Sequence, residues 1–109
     1  MTIREYDLYG TKSLSPQALG AAIENTLGIA FSIHESDFLG GDYLLFISGE
    51  EEISIHSNKL EDEDGEYLRE PAFAEYSTLL MIDGTLRGDE YRARLEPVSA
   101  LDFLRREIV

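Results

Sequence analysis

Between Ile3 and Tyr9 the chain alternates Arg4, Tyr6 and Leu8 with Ile3, Glu5 and Asp7, the two-residue period of a half-buried strand ending at Gly10. Ser15 followed by Pro16 predicts a helix start, because a serine oxygen can accept an orphan amide hydrogen and proline is tolerated at the first helical position. That helix runs to about Leu27: Leu19, Ala22, Ile23 and Leu27 recur every three or four residues, and Gly28 supplies a stop. Ile29 to Glu35 reads as a second strand with Ile29, Phe31 and Ile33 on one face, and Gly40-Gly41-Asp42 reverses the chain.

The unbroken run Tyr43-Leu44-Leu45-Phe46-Ile47 predicts a central strand covered on both faces. After Gly49-Glu50, Ile53, Ile55 and Ser57 alternate with Ser54, His56 and Asn58, a strand with one wet face. Lys59 to Tyr76 lacks a sustained period and contains Glu61-Asp62-Glu63-Asp64-Gly65-Glu66, so the pattern predicts a long exposed acidic loop at about 59–76. Ser77 to Ile82 returns to β character and closes at Asp83-Gly84-Thr85, and a second helix covers Leu86 to Leu95 before Pro97. The tail from Leu101 to Ile108 fits a strand through Leu101, Phe103 and Arg105, or a helix through Leu101, Leu104 and Ile108; the strand is preferred. The expected fold is α+β: a single domain over 1–109 with order βαββββαβ, in which a mixed, mostly antiparallel sheet of five to six strands carries two helices on one face.

Composition supports a folded domain. The chain has 109 residues, 43% of them apolar, with five Phe and six Tyr, enough for one modest core. There is no cysteine, so a disulfide scaffold, a thiolate zinc site and a cysteine nucleophile are excluded. Met1 to Asp7 form no apolar leader and no run of about 18 apolar residues occurs, so a cytoplasmic protein off the membrane is expected.

Charge changes the picture more. With 22 acidic against 9 basic side chains the net charge is −13, opposite to what direct nucleic-acid binding needs. Positions 35 to 75 hold thirteen carboxylates against Lys59 and Arg69, whereas from 84 to 109 five acids meet five arginines. Such a segment either solubilises the surface or meets a basic partner, with tyrosines supplying contact area. The candidate partner-binding residues are Asp37, Asp42 and Tyr43 at the Gly-Gly turn, and Glu61, Asp62, Glu63, Asp64, Glu66 and Tyr67 in the acidic loop.

Other chemistry lacks its signature. Aligning Gly65 with the sixth position of an EF-hand loop puts Leu60 and Pro71 where the first and twelfth ligands must be, so both required carboxylates are missing. His34 and His56 belong to no HxH or HExxH spacing, and read as isolated surface or edge histidines, although with Glu35 or Asp37 they offer metal donors if their strands are neighbours. No GxSxG, P-loop or GxGxxG occurs. No catalytic residue, metal site or cofactor is therefore expected.

Leu27-Gly28-Ile29, Gly40-Gly41-Asp42-Tyr43, the acidic loop, Leu79-Leu80-Met81-Ile82-Asp83-Gly84-Thr85 and the terminal Phe103-Leu104-Arg105-Arg106 together resemble small acidic bacterial immunity proteins encoded beside secreted polymorphic or contact-dependent toxins. The resemblance covers order and composition along most of the chain. It implies a small acidic protein that binds and neutralises its cognate toxin domain, and it implies no residue-level site because such surfaces differ between pairs; a monomer or weak dimer is expected. The expected function is thus a non-enzymatic protein-binding inhibitor occluding a basic toxin domain, such as a nuclease. Two alternatives stand beside it: an acidic DNA-mimic or regulatory protein, and a small-molecule-binding or enzymatic α+β domain.

Overall fold

The computed structural model describes residues 3–36 and 41–109. Eight strands and two helices follow in the order β1 (Glu5–Thr11), α1 (Pro16–Leu27), β2 (Ser32–Ser36), β3 (Gly41–Ser48), β4 (Glu51–Ser57), β5 (Lys59–Asp62), β6 (Gly65–Leu68), a 3₁₀ turn (Pro71–Phe73), β7 (Thr78–Thr85), α2 (Gly88–Leu95) and β8 (Asp102–Ile108). Six strands form one sheet in the order β2-β3-β4-β7-β1-β8, and every neighbouring pair in it is antiparallel. No helix among the described residues is long and apolar enough to cross a membrane.

Helix α1 starts and stops where its residue types dictate. The Ser15 hydroxyl accepts from the Ala18 amide at 3.1 Å, Pro16 opens the first turn, and Gly28 takes a left-handed φ of 69° while its N–H donates to the Glu24 carbonyl. Its Leu19, Ile23 and Leu27 pack with Tyr91 and Leu95 of α2 against Tyr9, Ile53, Ile55, Leu80 and Ile82 of the sheet, so both helices cover one face. A smaller cluster of Leu8, Tyr76 and Leu79, joined by Phe73, Met81 and Leu104, lies outside that core.

Coverage by the helices, more than the apolarity of a segment, decides which strands are central. The run Tyr43 to Ile47 lies in β3, next to the edge, where Phe46 is half-buried and Ile47 is 60% exposed; the expectation of a doubly covered strand there is corrected. The deepest strands are β4 and β7, whose Ile53–Ile82 and Ile55–Leu80 pairs sit under the helices. Ile29 and Phe31 precede β2 and pack on the core, whereas Ile33 in the edge strand is 73% exposed, so the three do not share a buried face. Glu24 fixes that departure by accepting the Phe31 amide hydrogen at 2.8 Å.

The other differences have local causes. Asp83-Gly84-Thr85 continues β7, with Gly84 at φ 73° and its Cα so close to the Glu50 carbonyl that a Cβ would lie 2.6 Å from the oxygen. Helix α2 begins at Gly88, two residues later than expected, where a Cβ would collide with the Asp7 and Arg106 side chains. On β4, Glu51 accepts from the Tyr91 hydroxyl and from the Arg87 Nε and Nη2, tying α2 to the sheet. The Arg87 fork, together with hydroxyl donors, holds the Glu51 carboxyl at about 2.

Segment 59–76 is the largest departure from the sequence reading. It folds into the two-stranded β5–β6 hairpin followed by the 3₁₀ turn, in place of an irregular loop. Charge does not prevent a two-stranded ladder when the side chains reach water, and Glu61 to Tyr67 are exposed throughout. The hairpin reverses at Asp62-Glu63-Asp64-Gly65, where the Asp62 carboxylate accepts the Asp64 amide hydrogen at 2.8 Å and Gly65 has φ 119°.

Candidate functional site

Asn58, fully buried between β4 and β5, fastens the hairpin to the sheet. Its amide nitrogen donates to the carbonyls of Phe73 (3.0 Å) and Tyr76 (2.8 Å), and its side-chain oxygen accepts from the Glu70 N–H (2.8 Å). Its backbone N–H donates to the Ser77 carbonyl while its own carbonyl accepts from the Arg69 N–H. One side chain thereby satisfies three backbone groups of a segment with little core of its own.

Strand β3 begins beside the end of β4, with Leu44 opposite Ile55, so Asp42 and Tyr43 stand at the sheet end from which the hairpin projects. Glu35 lies directly opposite Asp42, and Glu61 directly opposite Glu66, like charges that repel in the free protein. Lys59 bridges Glu66 at 3.2 Å. Asp42 and Tyr43 thus stand at the sheet end where β4 passes into the hairpin that carries Glu61, Asp62, Glu63, Asp64, Glu66 and Tyr67; Asp37 lies outside the described residues. Asp62 also holds the hairpin turn, so its carboxylate has a structural task.

On the helix-free face Tyr43 stacks between two imidazoles, 5.5 Å from His34 and 5.0 Å from His56 between ring centroids. Strand β3 thus separates the histidines, and no group of three or more metal-donor side chains occurs among the described residues. His34 is exposed, as expected, but His56 is only 4% exposed, which corrects its reading as a surface or edge residue. It lines a hollow of about 170 Å³ with Tyr43, Ser54, Arg69, Glu52 and Asp83. Neither His56 Nδ1 nor Arg69 Nε has a hydrogen-bond partner among the described residues.

Burial, aided by the Arg69 charge, lowers the His56 pKa to about 4, so the ring is neutral near pH 7. Asp83 moves upward, first through burial and then through Glu52 directly opposite it, with Arg69 opposing. As pH falls from 6.5 toward 4, the unfolded chain protonates His56 and the folded chain does not; stability is lost across that window. Replacing His56 with Gln is expected to flatten this part of the stability profile. Urea unfolding at about pH 7 and about pH 5 checks it, and equal losses in both proteins would contradict the assignment.

Sequence reasoning missed Asn58, Arg69, Asp83 and the burial of His56. Arg69 had one visible signal, as one of two cations in an acidic stretch. The other three depend on strand register and on a hairpin that was not anticipated. No protein-family model matches the chain, and no curated protein or solved structure shows significant similarity to it.

Proposed function

We propose that this chain is a non-enzymatic inhibitor that binds and occludes a basic protein domain, in the manner of an immunity protein acting on a toxin such as a nuclease. The observation that carries this reading is that Asp42 and Tyr43 stand at the sheet end where β4 leads into the hairpin with its five exposed carboxylates. Exposed carboxylates facing one another across the β5–β6 ladder raise the local negative potential, and a cationic surface would relieve their repulsion. Tyr43 and Tyr67 add contact area to a polar rim. A compact patch suits a protein inhibitor; a DNA mimic needs acids spaced along an extended face, which a pair of four-residue strands does not provide.

The test is to mix the purified chain with a basic domain, sought first in the neighbouring open reading frames, and to measure that domain's activity and complex formation. Stoichiometric loss of activity, weakening as ionic strength rises, is expected. A complex insensitive to salt, or full activity in the presence of excess chain, would contradict the proposal.

A further inference from the structure

Away from that acidic end, a crevice of about 520 Å³ opens between α2 and β8, lined by Tyr9, Asp89, Arg92, Leu95, Leu101 and Phe103. That size falls within the range of small-ligand pockets, and the lining sets apolar Leu95, Leu101 and Phe103 beside the charged Asp89, Arg92 and Glu96. At its floor Tyr9 is 2% exposed, and its hydroxyl has no hydrogen-bond partner among the described residues. A buried hydroxyl without a partner is costly, and most such groups are satisfied in folded proteins. Burial and the nearby Asp7 charge push the Tyr9 pKa up to about 12, so the phenol keeps its proton and can donate it.

The rim adds a second donor. Arg92 lies over the Phe103 ring at 4.1 Å from its centroid and makes no ion pair among the described residues. The opposing carboxylate Asp89 is engaged by Arg106 at 2.8 Å. Glu96 also borders the crevice and works against a highly charged anion, so a singly charged group fits best.

We infer that this crevice binds a small apolar or aromatic monocarboxylate, whose acid group accepts from the Tyr9 hydroxyl and the Arg92 guanidinium while its body rests on Leu95, Leu101 and Phe103. None of the lining residues belongs to the proposed acidic surface.

Three probes of one shape separate the alternatives: 3-phenylpropionate, its amide and 3-phenylpropylamine, each titrated into the isotope-labelled protein by NMR. The carboxylate is expected to bind with Kd below about 1 mM, shifting amides of residues 92–96 and 101–103, with the amide about fivefold weaker and the amine weaker still. Tyr9→Phe should weaken carboxylate binding about five- to tenfold yet leave the ligand-free melting temperature unchanged or higher, since the hydroxyl has no partner to lose. Exposed Arg92→Gln should keep the fold and abolish the preference for carboxylate over amide. The proposal is overturned by no saturable shift up to about 10 mM carboxylate, by tighter binding of the amine, or by unchanged affinity in Tyr9→Phe. It is equally overturned if Tyr9→Phe melts lower without ligand, because the hydroxyl then has a structural partner.

Discussion

Replacing Arg106 with leucine is expected to destabilise the fold by about 3–5 kcal/mol, because it strands a buried carboxylate. Asp7 is 1% exposed and accepts from the Arg106 Nε at 2.7 Å and Nη2 at 2.9 Å, a two-point fork across the β1–β8 pair. The same guanidinium reaches Asp89 at 2.8 Å and Glu5 at 3.1 Å, and Glu5 accepts the Gly88 N–H, so the network also seats the start of α2. Replacing both partners, Asp7→Leu with Arg106→Met, should cost less than Arg106→Leu alone, since the fully buried charge leaves with its partner and Glu5 and Asp89 retain contact with water. Urea unfolding of the three proteins measures this. A single-variant loss below about 1 kcal/mol, or a double variant worse than the single, would show that the pair is solvated.

Asn58→Ala should be the second large loss, about 2–4 kcal/mol, as three backbone groups forfeit their partners in the Asn58 side chain. Its effect is also local. Amides of residues 59–76 should exchange faster in the variant while those of β4 and β7 keep their protection after correction for global stability. Because the hairpin carries five of the six described carboxylates of the proposed binding surface, association with the proposed partner should weaken with it, even though Asn58 is buried. Uniform acceleration of exchange across the sheet would mean that the hairpin and the sheet unfold as one unit.

Where a segment's period matched its structural environment, the sequence was readable. Ser15-Pro16 and Gly28 bounded α1 through capping chemistry that needs no tertiary information. The ambiguity of the tail has a definite cause in the register: Leu8 pairs with Arg105 but Tyr9 with Phe103, so an irregularity at Leu104 breaks the two-residue period of β8. That break puts Phe103 beside Tyr9, at 5.3 Å between ring centroids, and Arg106 beside Asp7 on the same face, a combination no alternation rule predicts. Likewise Tyr43 to Ile47 looked central because its composition carries no information about where the helices lie. The acidic segment looked irregular because its order comes from Asn58, which lies outside it, and from a turn held by Asp62. For the candidate surface, residue types alone identified the carboxylates and Tyr43, whereas the hollow around His56 required knowing that β3 lies between β2 and β4.

The measurement that bears most directly on the proposed inhibition is the association rate of the triple variant Glu61→Lys, Glu63→Lys, Asp64→Lys with the proposed basic partner domain, at low and near-physiological salt. These three side chains make no hydrogen bond or ion pair among the described residues, so the fold should survive their reversal. The proposal predicts an association rate about tenfold or more below wild type at low salt and a flattened salt dependence, with the dissociation rate changed far less. An unchanged association rate and an unchanged salt slope, in a complex that still forms, would contradict it and leave the hairpin acids as a solubilising surface.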